Sequence, residues 1–334
     1  MGGDKMESIT RKICPWDRKY FFGLIPFYSH VISESEWAHI KELGIKSLRI
    51  HLQKGHDWKD YDIVLERAAK EDIEVMMLVS YESYKSIHEP FDKGWGPIMH
   101  FTNAMELVDE LKRAVPYFKE RGVTSWEIWN EQNGMWHLHP DEYAELLTTI
   151  YRKFKYTDMW DTEAVIVFGG LDAVNVYFPK GVNGEAKAWM EKLYETEAFV
   201  SFRNEYGHPP FDVMAIHPYN TIELDDSMDI AFNDVETGLQ GIILDLMDRY
   251  GDDKIPVWIT ELGDQDEDDG RNARKLELYV KTLYNMPRVT RLHWFKYTYP
   301  GDDGHGLYSL VMENGRIRES LSTYKKVIEE LRSK

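Results

Sequence analysis

The chain of 334 residues contains a single cysteine, Cys14, so no disulfide can close within it. That suits a reducing compartment. Basic charge is scarce as well: 40 Lys and Arg stand against 58 Asp and Glu, a net charge of −18. Such a balance argues against a nucleic-acid partner or an anionic membrane surface, both of which want a basic face. No apolar run approaches the roughly 18–20 residues of a membrane span. The segment Met1–Trp16 holds Lys5, Arg11 and Lys12 with no apolar stretch behind them. No signal peptide is visible, and the expected location is the cytoplasm, or outside the cell had a leader been removed. No linker or low-complexity stretch divides the chain, so one domain over 1–334 is expected, with 1–18 as an N-terminal extension.

What is abundant is hydrophobic and aromatic. Hydrophobic residues make up 43% and charged residues 29%, enough for a packed core. The 11 Trp and 20 Tyr lean towards carbohydrate, whose C–H faces rest on aromatic rings, although core packing also absorbs such residues.

The apolar pattern alternates short β-prone runs with longer stretches of helical spacing. Strands are predicted over Tyr20–Pro26, Ser47–Leu52, Glu74–Tyr81, Ser125–Asn130, Ala164–Phe168, Asp212–His217, Ile255–Thr260 and Thr290–Tyr297. Each is followed by helical sequence. Ser33 and Glu36 have the spacing of a capping box at the first helix, which Gly44 closes. Eight such units predict an α/β fold, the (β/α)8 barrel. A doubly wound open sheet is the competing architecture, but no Gly-rich phosphate loop follows the first strand.

Active sites of such barrels lie at the C-terminal ends of the strands. Strand four ends in Asn130 and Glu131, strand seven in Glu261, and strand six in His217 and Tyr219. Strand two contributes Arg49 and His51, and strand eight His293, Trp294 and Lys296. Two carboxylates brought to one cleft are what cleavage of a glycosidic bond needs: a protonated acid and an ionised nucleophile or base. Were Glu131 the acid, burial against Trp126, Trp129 and Trp136, or repulsion from Glu261, would keep it protonated. Were Glu261 the ionised partner, Arg49 and the Tyr219 hydroxyl would favour its charge. Glu127 lies inside its strand and is expected to make a structural pairing.

The run Trp126-Glu127-Ile128-Trp129-Asn130-Glu131, with Ile259-Thr260-Glu261, His217-x-Tyr219 and Trp294, resembles the clan A retaining glycoside hydrolases, families 39 and 5 most of all. Gln132 departs from the proline often found after the acid/base. The resemblance implies a (β/α)8 enzyme acting on β-linked oligo- or polysaccharide or glycoside substrates without cofactor or metal. It implies Glu131 as general acid/base and Glu261 as nucleophile. Asn130 would hydrogen-bond the sugar 2-hydroxyl, Arg49 and Tyr219 would contact the nucleophile, His217 would bind on the substrate side, and Trp294 would be the sugar platform. A retaining enzyme should hold its carboxyl groups about 5–5.5 Å apart, an inverting one about 6.5–9.5 Å.

Two other readings remain at this point: a barrel that binds carbohydrate without cleaving it, and a metal-dependent barrel hydrolase or isomerase. His137 with His139 is a weak metal signal, and the Asp264–Asp269 run is only loosely like a calcium loop. Trp95 and Trp136 are candidates for outer sugar subsites. Asp225, Asp226, Asp229, the Asp264–Asp269 run, Asp302 and Asp303 all follow strands, so a negative rim is expected that disfavours uronate or sulfated polymers.

Overall fold

A computed structural model describes residues 12–84, 103–134, 137–172, 186–219, 239, 243–299 and 305–334. Its eight strands pair in chain order, all in parallel, and close into a barrel. They are β1 Phe22–Leu24, β2 Ser47–His51, β3 Glu74–Val79, β4 Ser125–Asn130, β5 Val165–Asp172, β6 Met214–His217, β7 Val257–Leu262 and β8 Val289–Trp294. The described helices are α1 Glu34–Leu43, α2 Asp62–Lys70, α3 Tyr81–Tyr84, α4 Glu106–Lys119, α5 Pro140–Lys155, α6 Ala186–Glu195, α7 Glu197–Tyr206, α8 Asp245–Arg249, α9 Asp269–Asn285 and α10 Glu319–Arg332. This is the (β/α)8 barrel. Among the described residues no helix is long and apolar enough to cross a membrane.

Strands buried on both faces need apolar side chains towards the helices and matched groups within. Outward-facing Trp126 and Ile128 join the large core cluster beneath the helices. Inside the barrel several polar groups pair with one another. Arg291 meets Glu74 at 2.8 Å, Ser125 donates to the same carboxylate, and Ser47 lies 2.8 Å from His293. The N-terminal segment seals the lower end: Ile13 and Tyr20 pack on Met76, Val165, Val213 and Trp258. The Pro15 carbonyl there accepts from Thr290 at 2.7 Å.

Local signals in the sequence take their expected places, with one correction. Gly44 is left-handed, φ 70°, and caps α1 through Ile40 and Lys41 carbonyls. Ser33 accepts from Glu36 N at 3.2 Å, but the Glu36 carboxylate does not complete the capping box. It turns into the core and accepts from Phe27 N at 3.1 Å.

Candidate active site

The site forms where β4, β6 and β7 end beside β2. Strand alternation alone would put residues 127 and 129 on the inner face. Trp129, however, has φ 79° and Glu131 φ 48°. This left-handed backbone breaks the phase, so Trp129 is buried in the outer core and Asn130 turns inward with Glu127. On β7 a bulge does similar work. Ile259 pairs with Leu292 and Leu262 with Trp294, so β7 carries one extra residue there. Thr260 and Glu261 thereby both reach the interior groups.

Arg49 is the hub. Its Nε donates to Glu127 at 2.5 Å, Nη1 to Glu261 at 2.5 Å and Nη2 to Asn130 Oδ1 at 2.9 Å. Burial works against its charge, yet Glu127 and Glu261 hold its pKa above the ordinary arginine value. Glu127 also accepts from Gly170 N at 3.1 Å, the structural pairing expected of it.

Glu261 is almost enclosed, its side chain 12% exposed. Burial pushes its carboxyl up, but His217, Arg49 and the Tyr219 hydroxyl together hold it below the usual carboxylate range. Tyr219 donates to Oε2 at 3.0 Å. His217 lies fully buried, with Nδ1 3.0 Å from Glu131 Oε1 and Nε2 3.0 Å from Thr260 Oγ1. Burial pulls its pKa down, and Glu261 and Glu131 outweigh that and raise it. Oxygens of Glu131 and Glu261 and a His217 ring nitrogen all lie within 4.8 Å of one another. That trio is the metal-ligand grouping found among the described residues. Arg49 and Tyr219 already occupy the two oxygens of Glu261, so the donor set is ill suited to a cation.

Six of the seven expected site residues therefore converge: Arg49, Asn130, Glu131, His217, Tyr219 and Glu261. Trp294 does not. It is fully buried, faces outward and packs towards Tyr324 of α10, with ring centroids 6.3 Å apart. His293 beside it points inward to Ser47, and neighbours on a strand face opposite ways. The aromatic side chain that β8 delivers to the cleft is the next residue, Phe295, whose peptide bond to Lys296 is cis. Trp126 and Trp129 likewise lie in the outer core rather than against Glu131.

A cavity of 670 Å³ opens beside Glu261 and Asn130. Its walls include Phe27, Tyr28, His51, Gln53, Glu82 and Tyr299. Of these, His51 was expected at the rim, whereas no local motif marks Gln53 or Glu82. His139 leads into α5, its N–H donating to Glu142 at 2.8 Å. Part of the acidic run is matched: Asp264 and Asp266 meet Lys275, Asp269 meets Arg316 and Arg318, and Asp268 caps α9. These pairs offset part of the negative charge expected of the rim there. Trp95, Trp136, Asp225, Asp226, Asp229, Asp302 and Asp303 lie outside the described residues.

Residues 157–324 match the family model described as the glycosyl hydrolase catalytic core. The chain belongs to that family. No curated protein matches it. Among solved structures, this glycosyl hydrolase resembles a family 39 glycoside hydrolase from the gut symbiont Bacteroides cellulosilyticus WH2, at 18% identity and TM-score 0.68. The alignment covers 97% of this chain but 66% of that one. A GH5_18 protein from Bifidobacterium longum subsp. longum, solved with Manb1-4GlcNAc, gives 14% identity and TM-score 0.63 over 94% of this chain and 78% of that one. A GH128 (subgroup II) endo-beta-1,3-glucanase from Pseudomonas viridiflava gives 17% and 0.55 over 91% and 96%. At such identities these likenesses speak for the fold.

Proposed function

We propose that this glycosyl hydrolase cleaves β-linked glycosides with retention of configuration. The observation that carries the reading is the separation of the two carboxylates, with oxygens of Glu131 and Glu261 within 4.8 Å. That is close to the spacing of about 5–5.5 Å that places one carboxylate on the anomeric carbon, and short of the gap of about 6.5–9.5 Å that admits an attacking water.

Glu261 is the nucleophile. Arg49 and Tyr219 favour its ionised form and orient it, and its low pKa suits a group that must enter the reaction as an anion. It attacks the anomeric carbon while Glu131 protonates the departing oxygen. Glu131 then takes a proton from water, which attacks the glycosyl-enzyme and releases Glu261. His217 spans the two carboxylates and holds Glu131 in place. Arg49 occupies the Asn130 carbonyl oxygen, which leaves the amide N–H groups to donate to a sugar hydroxyl. The β-configuration of the substrate rests on the resemblance to clan A.

The test is hydrolysis of a panel of aryl β-glycosides with activated leaving groups by the parent enzyme, Glu131→Ala and Glu261→Ala. Glu261→Ala should be inactive, Glu131→Ala should keep activity on the activated substrates and be rescued by azide, and a chelator should have no effect. Activity in both variants, or a product of inverted anomeric configuration by NMR, would overturn the proposal.

A further inference from the structure

The charged groups lining the cavity are unevenly matched. Glu261 is held by Arg49 and Tyr219. Glu82 accepts from Tyr81 at 2.7 Å and Gln53 at 3.3 Å, and lies 3.1 Å from His51 Nδ1. Burial raises the Glu82 carboxyl, yet the His51 contact and these hydrogen bonds bring it down to about 2. Both carboxylates of the wall therefore have internal donors.

Lys296 has no such match. Its ammonium makes no hydrogen bond or ion pair among the described residues, although it lines the same cavity. It lies 5.0 Å from the Tyr299 ring centroid, 5.6 Å from Phe295 and 5.8 Å from Phe27. Rings at that range stabilise the positive charge but take none of its N–H donors. Glu36 and Glu261 act on it only through space, and burial still pulls its pKa below the ordinary lysine value. A half-buried ammonium whose N–H donors meet no protein acceptor among the described residues is poorly compensated, and an anion is the ligand that supplies what is missing.

We propose that Lys296 is the specificity-determining cation of this cavity and that the sugar it recognises carries a carboxylate, as a uronosyl residue does. A hydroxyl would merely replace water at the ammonium. A carboxylate supplies the missing charge and accepts two hydrogen bonds at once. The adjoining wall, His51, Gln53, Ser80 and Glu82, offers donors and acceptors for ring hydroxyls, while Phe27, Phe295 and Tyr299 offer apolar faces. The charge that meets the ligand is thus opposite in sign to the one expected of the rim.

The inference rests on reading this centre as a glycosidase site, so its test is binding rather than turnover. Calorimetry would compare methyl β-D-glucuronide and methyl β-D-galacturonide with methyl β-D-glucoside and methyl β-D-galactoside, on the Glu131→Gln protein. At least one uronide should bind on the order of tenfold or more tighter than its neutral counterpart, the scale of one charge-assisted hydrogen bond. The preference should weaken with salt, vanish in Lys296→Met and Lys296→Gln, and return in Lys296→Arg, with circular dichroism checking each fold. Equal binding of charged and neutral sugars, a preference that survives Lys296→Met, or no binding by either uronide would overturn it. The aryl glycoside panel judges the hydrolase reading separately.

Discussion

His217 stands 3.0 Å from Glu131 and, by the same ring nitrogen, 3.8 Å from Glu261, so one imidazole serves both carboxylates. Such a ring is favoured in its protonated form. Its folded pKa lies above the ordinary 6.5, so its stabilisation is complete below pH 6.5 and is lost as pH rises through the folded value. Glu261 behaves in reverse. Its stabilisation is present above its ordinary 4.5 and is lost as pH falls through the lower folded value. The pair act together between those two ordinary values. His217→Gln should therefore lower Tm most at pH 5–6 and progressively less above pH 7, as scanning calorimetry across pH would read. A deficit that grows with pH would refute this.

Tyr219→Phe removes the hydroxyl that donates to Glu261 Oε2 at 3.0 Å. Glu261 should then protonate more readily, moving the acid limb of kcat/KM to higher pH. The rate should fall on the order of tenfold, the worth of one hydrogen bond to a charged group. An unmoved acid limb would show that Tyr219 does not tune Glu261.

Gly170 on β5 lies under the His217 ring: a Cβ there would sit 1.9 Å from Nε2. Gly170→Ala should displace the imidazole from both Thr260 and Glu131. We expect a loss of about 1–3 kcal/mol in a urea titration, with a drop in activity far larger than that stability loss explains. Parental activity would mean that the ring position is not needed.

Glu36 tests the wall behind Lys296. Burial raises its pKa from 4.5 to about 7, against the hydrogen bond from Phe27 N and the charge of Lys296. A buried acid with a raised pKa destabilises the fold as pH climbs from 4.5 through 7. Glu36→Gln keeps an oxygen for Phe27 N. It should match the parent near pH 4.5 and be more stable at pH 8, by up to about 3 kcal/mol. Equal stability at both pH values would contradict the shift.

How much of this was legible depended on which rule governed each residue. The expected and observed bounds of β4 coincide because Trp126, Ile128 and Trp129 are apolar and a polar pair ends the run. Glu131 and Glu261 stood out as carboxylates at strand ends. Trp294 lies away from the site expected of it, and alternation along β8 accounts for its place. His293 beside it faces the barrel interior, and the two-residue period sends Trp294 out and leaves the cleft to Phe295. The turn of Asn130 into the site could not be read, because it depends on a left-handed Trp129, a conformation tryptophan does not advertise. The bulge before Leu262 leaves no local mark either. Glu82, on the short helix after β3, joins the cavity wall through His51 and Gln53, 31 and 29 positions earlier, pairings that exist only once the barrel closes.

The backbone of Glu131 is held at φ 48°, where glycine or asparagine would rest more easily than glutamate. The chain tolerates that discomfort at the residue whose carboxylate it aims across the cleft. Drift towards a sturdier protein would relax this position, so selection for robustness and selection for turnover pull its identity in opposite directions. A descendant released from sugar chemistry should betray itself here, by a small residue in place of the glutamate and a barrel otherwise intact.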